Sequence, residues 1–315
     1  MGTLVGHVAP GLGFLLIGLW HLFNHIKLHA LNSHSYVSPP WFPSSKFKYL
    51  ELLLIMAGSL ASISMELFIG PDRHQPFDPD GTIPSNHLHN FEHSSISMTF
   101  FLYAAFAIVL DRIAAASRAR YALTQLLAAV AFAQQLLLFH LHSADHDGPE
   151  GQYHLLLQLI VLVSLTTTLM GIGLPNSFTV SFTRSLSVLF QGVWLVAMGF
   201  MLWTPGLVPK GCFMNLEEGH QVVRCSSHEA LHRAVSLVNI QFSWYLIGIT
   251  VFGMSLYLGL VKVYAGKTQY FSLGEEEEDE VESNDDVESQ KKSVRGNATS
   301  FIHVGKSFSP IDMER

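Results

Sequence analysis

Charged residues are scarce in this chain. Asp, Glu, Lys and Arg make up 14% of its 315 residues, whereas soluble domains carry roughly a quarter. Basic residues are fewer than acidic ones, 18 against 25, so no basic surplus predicts a nucleic-acid partner. Hydrophobic residues reach 49%, and the mean hydropathy is +0.31. The composition excludes an ordinary soluble domain and makes the lipid bilayer the first predicted partner.

Long apolar runs, by contrast, are abundant. Seven of them approach the roughly 20 residues that span a bilayer. They lie at about 6–25, 49–69, 92–110, 122–142, 153–172, 185–203 and 234–261. The sequence predicts an all-α polytopic membrane protein, with a seven-transmembrane-helix bundle at residues 1–263. A cleaved signal peptide is not expected, because no basic region precedes the first run.

Basic residues are distributed unevenly between the loops. One set of loops and the end of the last span hold Lys27, Lys46, Lys48, Arg112, Arg118, Arg120, Arg184, Lys262 and Lys267. The opposite set holds only Arg73, Lys210, Arg224 and Arg233. By the positive-inside rule, the first set is cytosolic. The N-terminus is then predicted outside the cytosol and the C-terminus inside it.

Cysteine is nearly absent. The chain has only Cys212 and Cys225, and both fall in the sixth loop, on the predicted non-cytosolic face. An oxidising compartment would let them pair, so a disulfide is favoured over two free thiols.

Histidine is the residue that stands out. The stretches 87–93 and 140–146 both have the form His-Leu-His-x-x-acid-His. On a helix, two histidines of each stretch share a face at a spacing of four residues. Imidazole with carboxylate suits zinc or iron better than calcium or magnesium.

Most of the histidines also share one membrane depth. On the predicted topology, twelve of the 17 lie on the non-cytosolic face or in the outer half of a span. We predict a metal site there with His93, His142, His146, His154 and Glu66 as ligands. Further ligands, of the second shell or of a second ion, are predicted at His7, His89, His140, His228 and His232. The predicted proton-transferring carboxylates are Glu66, Glu92 and Asp145.

Two further histidine patterns have weaker interpretations. His228-Glu229-x-x-His232 has the zincin form, but it lies at the entry to a span. We therefore interpret Glu229 as a hydrogen-bond partner of a metal ligand in preference to a catalytic base. His21, His25 and His29 form a ladder on one helix face near Lys27, and we expect that face to be wet and interfacial.

The composition changes after residue 263. Residues 264–315 contain an acidic run from Glu275 and few large apolar side chains, so we expect a cytosolic disordered tail. Tyr270–Leu273 next to that run is similar to a sorting signal, which predicts sorting adaptors as partners and a Golgi or endosomal location. The sequon at Asn297 is expected to stay bare in the cytosol.

Short motifs lie along the spans, at Gly6-His7, Pro10-Gly11, Glu66, His93, His140-Leu141-His142, His154, Thr183-Arg184-Ser185 and Gln191-Gly192-x-Trp194. On these residues the chain resembles the transmembrane protein 45 family, a seven-span group of undefined activity. The resemblance covers roughly residues 1–263, and this chain is similar to a plant-like or divergent member. It implies the fold but no reaction or ligand.

Three functions fit these patterns. The first is a membrane-embedded metal site, with zinc favoured over iron, that hydrolyses a lipid-like substrate. The second is an oxidative di-iron site, which the non-cytosolic position of the histidines disfavours. The third is no enzyme, but a transporter or regulator that responds to metal ions or protons.

Overall fold

The computed structural model describes residues 3–71, 74–143, 148–217 and 220–293, and the side chains of all these except 142, 143, 220 and 265–293. Its helices are α1 (Leu4–Leu31), α2 (Leu50–Ser64), α3 (Leu88–Ile113), α4 (Arg118–Ser143), α5 (Pro149–Gly173), α6 (Phe178–Trp203) and α7 (His228–Ser293). Within the described residues, seven helices are long and apolar enough to cross a membrane. The predicted all-α, seven-helix membrane fold is confirmed.

The chain divides into two units, Met1–Tyr264 and Ala265–Arg315. The helix bundle is the first unit. The sequon at Asn297 lies outside the described residues, and the side chains of Tyr270–Leu273 lie outside the described side chains. The domain boundary and the disordered tail stay predictions.

Helix α6 is the centre of the bundle. Of its 18-residue apolar segment, 72% is buried, against 11% for α2. Its contact with α1 is close because glycines line it: a Cβ added at Gly18 would lie 2.3 Å from the Leu189 nitrogen, and one at Gly192 would lie 2.2 Å from the Leu15 nitrogen. Small residues commonly allow such backbone contact between membrane helices.

Three phenylalanine side chains cross the middle of the bundle. Phe14 of α1 meets Phe100 of α3 at 5.4 Å between ring centroids, and Phe100 meets Phe132 of α4 at 5.6 Å. A residue seven positions from one of these phenylalanines lies about 10 Å further along the helix, on nearly the same face. By this spacing, His7 and His93 lie on one side of the phenylalanine layer, and His21 and Gln125 lie on the other. We call these two sides the histidine end and the arginine end, the latter after Arg184.

A short hairpin follows α6 at the histidine end. Strands β1 (Cys212–Glu217) and β2 (His220–Cys225) pair antiparallel, with Cys212 opposite Cys225, and a disulfide joins the two. The predicted disulfide is confirmed, whereas the sequence did not predict the strands. Arg224, next to the disulfide, donates to Glu217 beside the turn and holds the pKa of that carboxyl down at about 2. The disulfide closes the base of the hairpin, and this ion pair links the base to the turn.

Candidate functional site

His7 is held from three directions at the start of α1. Its Nδ1 lies 3.1 Å from the carbonyl oxygen of Thr3, the residue that also caps the helix. The ring stacks on Trp203 of α6, with 4.4 Å between centroids. Trp203 in turn donates its indole N–H to the Gln221 carbonyl of the hairpin, at 3.3 Å. A Cβ added at Gly199 would lie 3.2 Å from the His7 Cβ, so this glycine gives the histidine its room.

His154 of α5 lies beside His7, and the ring centroids are 5.7 Å apart in an edge-to-face arrangement. Its Nδ1 lies 2.9 Å from the Glu150 carbonyl oxygen. In both histidines a backbone carbonyl faces Nδ1, so Nδ1 carries the proton and the ring lone pair is on Nε2. Both rings are nine-tenths or more buried.

Glu66 belongs to a π-helical turn, Met65–Ile69, that continues α2. Asn90 of α3 donates to the Glu66 carbonyl at 2.7 Å and fixes this turn. One carboxylate oxygen, Oε1, lies 3.4 Å from Nδ1 of His93, while Oε2 is buried and has no hydrogen-bond partner. His93 also lies near enough to His7 and His154 to interact electrostatically with each. We call His7, Glu66, His93 and His154 the outer cluster.

The other predicted site residues are placed in three ways. His140 contacts Gln158 at 3.2 Å, and His89 contacts Glu92 at 3.1 Å. His228, Glu229 and His232 are exposed at the start of α7, where His228 lines a surface cavity of about 280 Å³ beside the hairpin. Outside the described side chains lie His142, Asp145 and His146. Helix α4 is continuous through residue 143, so the predicted unwinding of the chain near His140 is not seen there.

The outer cluster joins four helices but is not a complete metal shell. Within the described part of the chain, no three His, Cys, Asp or Glu side chains come together as a metal ion requires. Pairs do form: the two rings of His7 and His154, and the contact between His93 and Glu66. The structure thus brings four of the predicted residues into two neighbouring pairs, and metal binding stays a prediction.

The prediction of a wet histidine ladder at the arginine end is wrong. His25 is fully buried and lies 2.9 Å from the Tyr36 hydroxyl, and His21 lies 2.7 Å from a carboxylate oxygen of Glu51. The reason is the loop after α1, which folds against the ladder, and burial there raises the pKa of the Tyr36 hydroxyl. The signal in the sequence was the spacing of four residues between these histidines, which places them on one polar helix face that the loop can cover.

Arg184 was also misplaced, because the apolar run was taken to begin at Ser185. Helix α6 begins seven residues earlier, at Phe178, and Arg184 is 6% exposed inside the bundle. The cause is the neighbouring polar residues Thr183 and Ser185, which end a hydropathy run without ending a helix. The signal available in the sequence was a lone charge with an apolar residue two positions before it and another two positions after it, Phe182 and Leu186.

These features define a multi-pass membrane protein with seven helices and a buried histidine and carboxylate cluster at one end. Residues 121–258 match a protein family described as a family of unknown function, DUF716. The match includes His140 and His154 and the whole of α5 and α6, but it covers less than half of the chain and stops short of His7, Glu66 and His93.

Proposed function

We propose that this protein binds a divalent transition-metal ion, zinc in preference to iron, at the outer cluster. The observation that carries the proposal is Glu66 Oε2, a buried carboxylate oxygen with no partner, beside His93. A carboxylate inside a membrane protein is stable when it faces a partner, and a buried carboxylate oxygen is normally satisfied by a hydrogen-bond donor, a water or an ion. A cation shared with the neighbouring rings would satisfy it.

The geometry of the two rings supports this assignment. Two imidazoles that bind one tetrahedral zinc at about 2 Å have their centroids roughly 5 Å apart, close to the observed 5.7 Å. Histidines that bind metals usually donate their second nitrogen to a carbonyl or carboxylate, as His7 and His154 do to Thr3 and Glu150. Glu66 and His93 are the proposed third and fourth ligands.

The chemistry that fits such a site is hydrolysis of a lipid-like substrate. The outer cluster would hold the zinc ion, which would supply an activated water at neutral pH. A nearby carboxylate would take a proton from that water and return it to the alcohol or amine that leaves when the ester or amide bond is broken. Glu66, Glu92 and Asp145 are the proposed carboxylates. An acyl chain would enter from the bilayer between helices.

Metal analysis tests the proposal. Gently purified wild type is expected to hold near-stoichiometric zinc or iron by elemental analysis, and the double variant His7→Ala with His154→Ala to hold almost none. Adding zinc should raise the melting temperature of the wild type only. The matched control is His228→Ala with His232→Ala, which changes two exposed histidines and should retain the metal. Folded wild type that is free of metal, with no thermal response to zinc or iron, would contradict the proposal.

A second candidate is a transporter or regulator that responds to protons or metal ions. The observation in its favour is a polar interior that is not confined to the histidine end. Gln191 on α6 is fully buried with neither amide atom bonded, and Gln135 on α4 has a buried amide oxygen without a partner. Such groups lie in the bundle between the outer cluster and Arg184. Purified protein in liposomes discriminates the candidates, since a transporter moves protons or metal across the bilayer and a hydrolase does not.

We further propose that the N-terminus is outside the cytosol and that the C-terminus is inside it. The proposed location is the Golgi or endosomal membrane. The proposed family is transmembrane protein 45, of which this chain would be a divergent member. Basic residues at the arginine end and the disulfide at the histidine end support this orientation.

The orientation has a direct test. An epitope inserted after Gly148 is expected to resist protease added to the cytosolic side of sealed vesicles, whereas an epitope at the C-terminus is expected to be cut. Detergent should make both sensitive. If both epitopes resist, or both are cut, before detergent is added, the topology is incorrect.

A further inference from the structure

Arg184 has no carboxylate among its contacts in the described part of the chain. Its Nη1 donates to Gln125 at 3.0 Å, and its Nη2 lies 3.3 Å from the Ser38 hydroxyl and 3.5 Å from Nε2 of His25. Since His25 bonds the Tyr36 hydroxyl through Nδ1, its Nε2 can accept from the guanidinium as a neutral ring. The charge of Arg184 is thus solvated by neutral groups and not balanced by an anion.

The acidic residues near this end are already engaged. The described residues of the arginine end include two carboxylates, Glu51 and Asp111. Glu51 accepts from Trp20 and the Phe42 backbone and pairs with His21. Asp111 pairs with Lys48 and Arg120. Neither carboxylate is left to neutralise Arg184.

Basic residues outnumber these two acids several-fold at the same end. Besides Arg184, they are Lys27, Lys46, Lys48, Arg112, Arg118, Arg120 and Lys262. A charged side chain within a membrane span costs several kcal/mol in the absence of a partner, and basic pockets between membrane helices are a common form of lipid headgroup site. We propose that Arg184 is the centre of a phosphate-binding site, filled by the headgroup of an anionic lipid or by free phosphate.

The surroundings of the guanidinium fit a phosphate group. Arginine has five N–H donors in a planar fork that matches two phosphate oxygens, and the three contacts above leave two donors to fill. Ser38 closes the site from the loop, which is tied down by the bond from its backbone nitrogen to the Pro175 carbonyl, at 2.8 Å. Gly171 of α5 flanks the fork: a Cβ there would lie 3.2 Å from Nη1. A phosphate group that replaces the Ser38 hydroxyl on Nη2 can accept two hydrogen bonds from the guanidinium. The segment from Tyr36 to Ser38 must move to admit it.

Titration of the purified full-length protein tests this site. Chelator is present throughout, so the outcome does not depend on metal at the outer cluster. The probes are short-chain phosphatidic acid, inorganic phosphate and, as a control, short-chain phosphatidylcholine, at constant ionic strength set with sodium chloride. Calorimetry is expected to show binding of phosphatidic acid or phosphate to the wild type, and Arg184→Gln is expected to weaken it by at least about tenfold. Arg118→Gln removes an exposed charge at the same end and is expected to leave the affinity within about twofold.

Two further variants keep the test decisive if Arg184→Gln does not fold. Arg184→Lys retains the charge but not the fork, and is expected to bind more weakly than the wild type. Ser38→Ala uncovers Nη2 and is expected to bind as tightly or more tightly. Equal binding of phosphate and phosphatidic acid identifies free phosphate as the ligand, and binding of phosphatidic acid alone identifies a lipid. If the wild type binds neither in preference to phosphatidylcholine, or if the folded Arg184 variants bind as it does, the proposal is overturned.

Discussion

Gly192→Ala is expected to destabilise the bundle by about 3 kcal/mol or more, because its new methyl group has no space. The added Cβ would lie 2.2 Å from the Leu15 nitrogen and 2.6 Å from the Gly11 oxygen, and both of these are backbone atoms of α1. Backbone cannot rotate aside as a side chain can, so α1 and α6 must separate. The measurement is the melting temperature of the purified protein in detergent, which should fall by many degrees.

Gly13→Ala is the matched control for this change. Gly13 is an exposed glycine of α1, and a Cβ there meets nothing within 4 Å. Because alanine is favoured over glycine in a helix by about 1 kcal/mol, this variant should be as stable as the wild type or slightly more stable. Equal melting temperatures for Gly192→Ala and Gly13→Ala would show that α1 and α6 are not in backbone contact at this point.

The contact between α1 and α6 also positions the outer cluster. His7 rises from α1 and stacks on Trp203 of α6, and Gly199 gives it room. A separation of the two helices would therefore move His7 away from both Trp203 and His154. We expect Gly192→Ala to weaken zinc binding together with stability, whereas Gly13→Ala should change neither.

Hydropathy predicted most of the fold, because a bilayer requires long apolar helices and these helices make up most of the described chain. The errors are at the ends of the spans. Helix α1 continues to Leu31 and α6 begins at Phe178, each several residues beyond its apolar run. Polar residues such as His29 and Arg184 end a run, yet they remain helical where the loop after α1 and the neighbouring helices surround them. A hydropathy window averages residues that are adjacent in sequence, so it does not detect contacts with a distant loop or helix.

The sequence predicted the outer cluster only in part, because it gives the membrane depth of a residue but not its contacts. Equal membrane depth grouped His7, Glu66, His93 and His154, and their contacts lie within one end of the bundle. Depth alone does not specify rotation about a helix axis, so it also included His228 and His232, which are exposed. Trp203 was missed, since its role depends on stacking between helices that are distant in sequence. The hairpin was missed because its strands are only six residues each and carry no strong alternation.

The two ends of the bundle differ in how their charges are satisfied. Among the described residues, a buried carboxylate oxygen at the histidine end has no hydrogen-bond partner, and a buried guanidinium at the arginine end contacts no carboxylate. The phenylalanine layer of Phe14, Phe100 and Phe132 separates the two. One end is therefore suited to a cation and the other to an anion, and ligands of opposite charge at the two ends are consistent with both proposals.

Glu51→Ala is expected to produce the second large loss of stability, about 3–5 kcal/mol, because it removes a buried acceptor that three groups share. Glu51 is 5% exposed. Its carboxylate accepts from the Trp20 indole at 3.1 Å and from the Phe42 backbone at 2.9 Å, and the His21 ring lies 2.7 Å away. Alanine would leave the buried Phe42 nitrogen and the His21 ring without this acceptor, and the loop after α1 would lose its anchor at Phe42.

Lys48→Ala tests whether this loss is specific to a buried carboxylate. Lys48 forms an ion pair at the same end, with Asp111, but its side chain is 58% exposed, and Arg120 also contacts that aspartate. Exposed ion pairs contribute little to stability, so the melting temperature of Lys48→Ala should be close to that of the wild type. Glu51→Ala should melt far lower, and protease should cut its loop between α1 and α2 sooner. If both variants melt as the wild type does, Glu51 does not anchor the loop, and the buried position of the His21 and His25 ladder is incorrect.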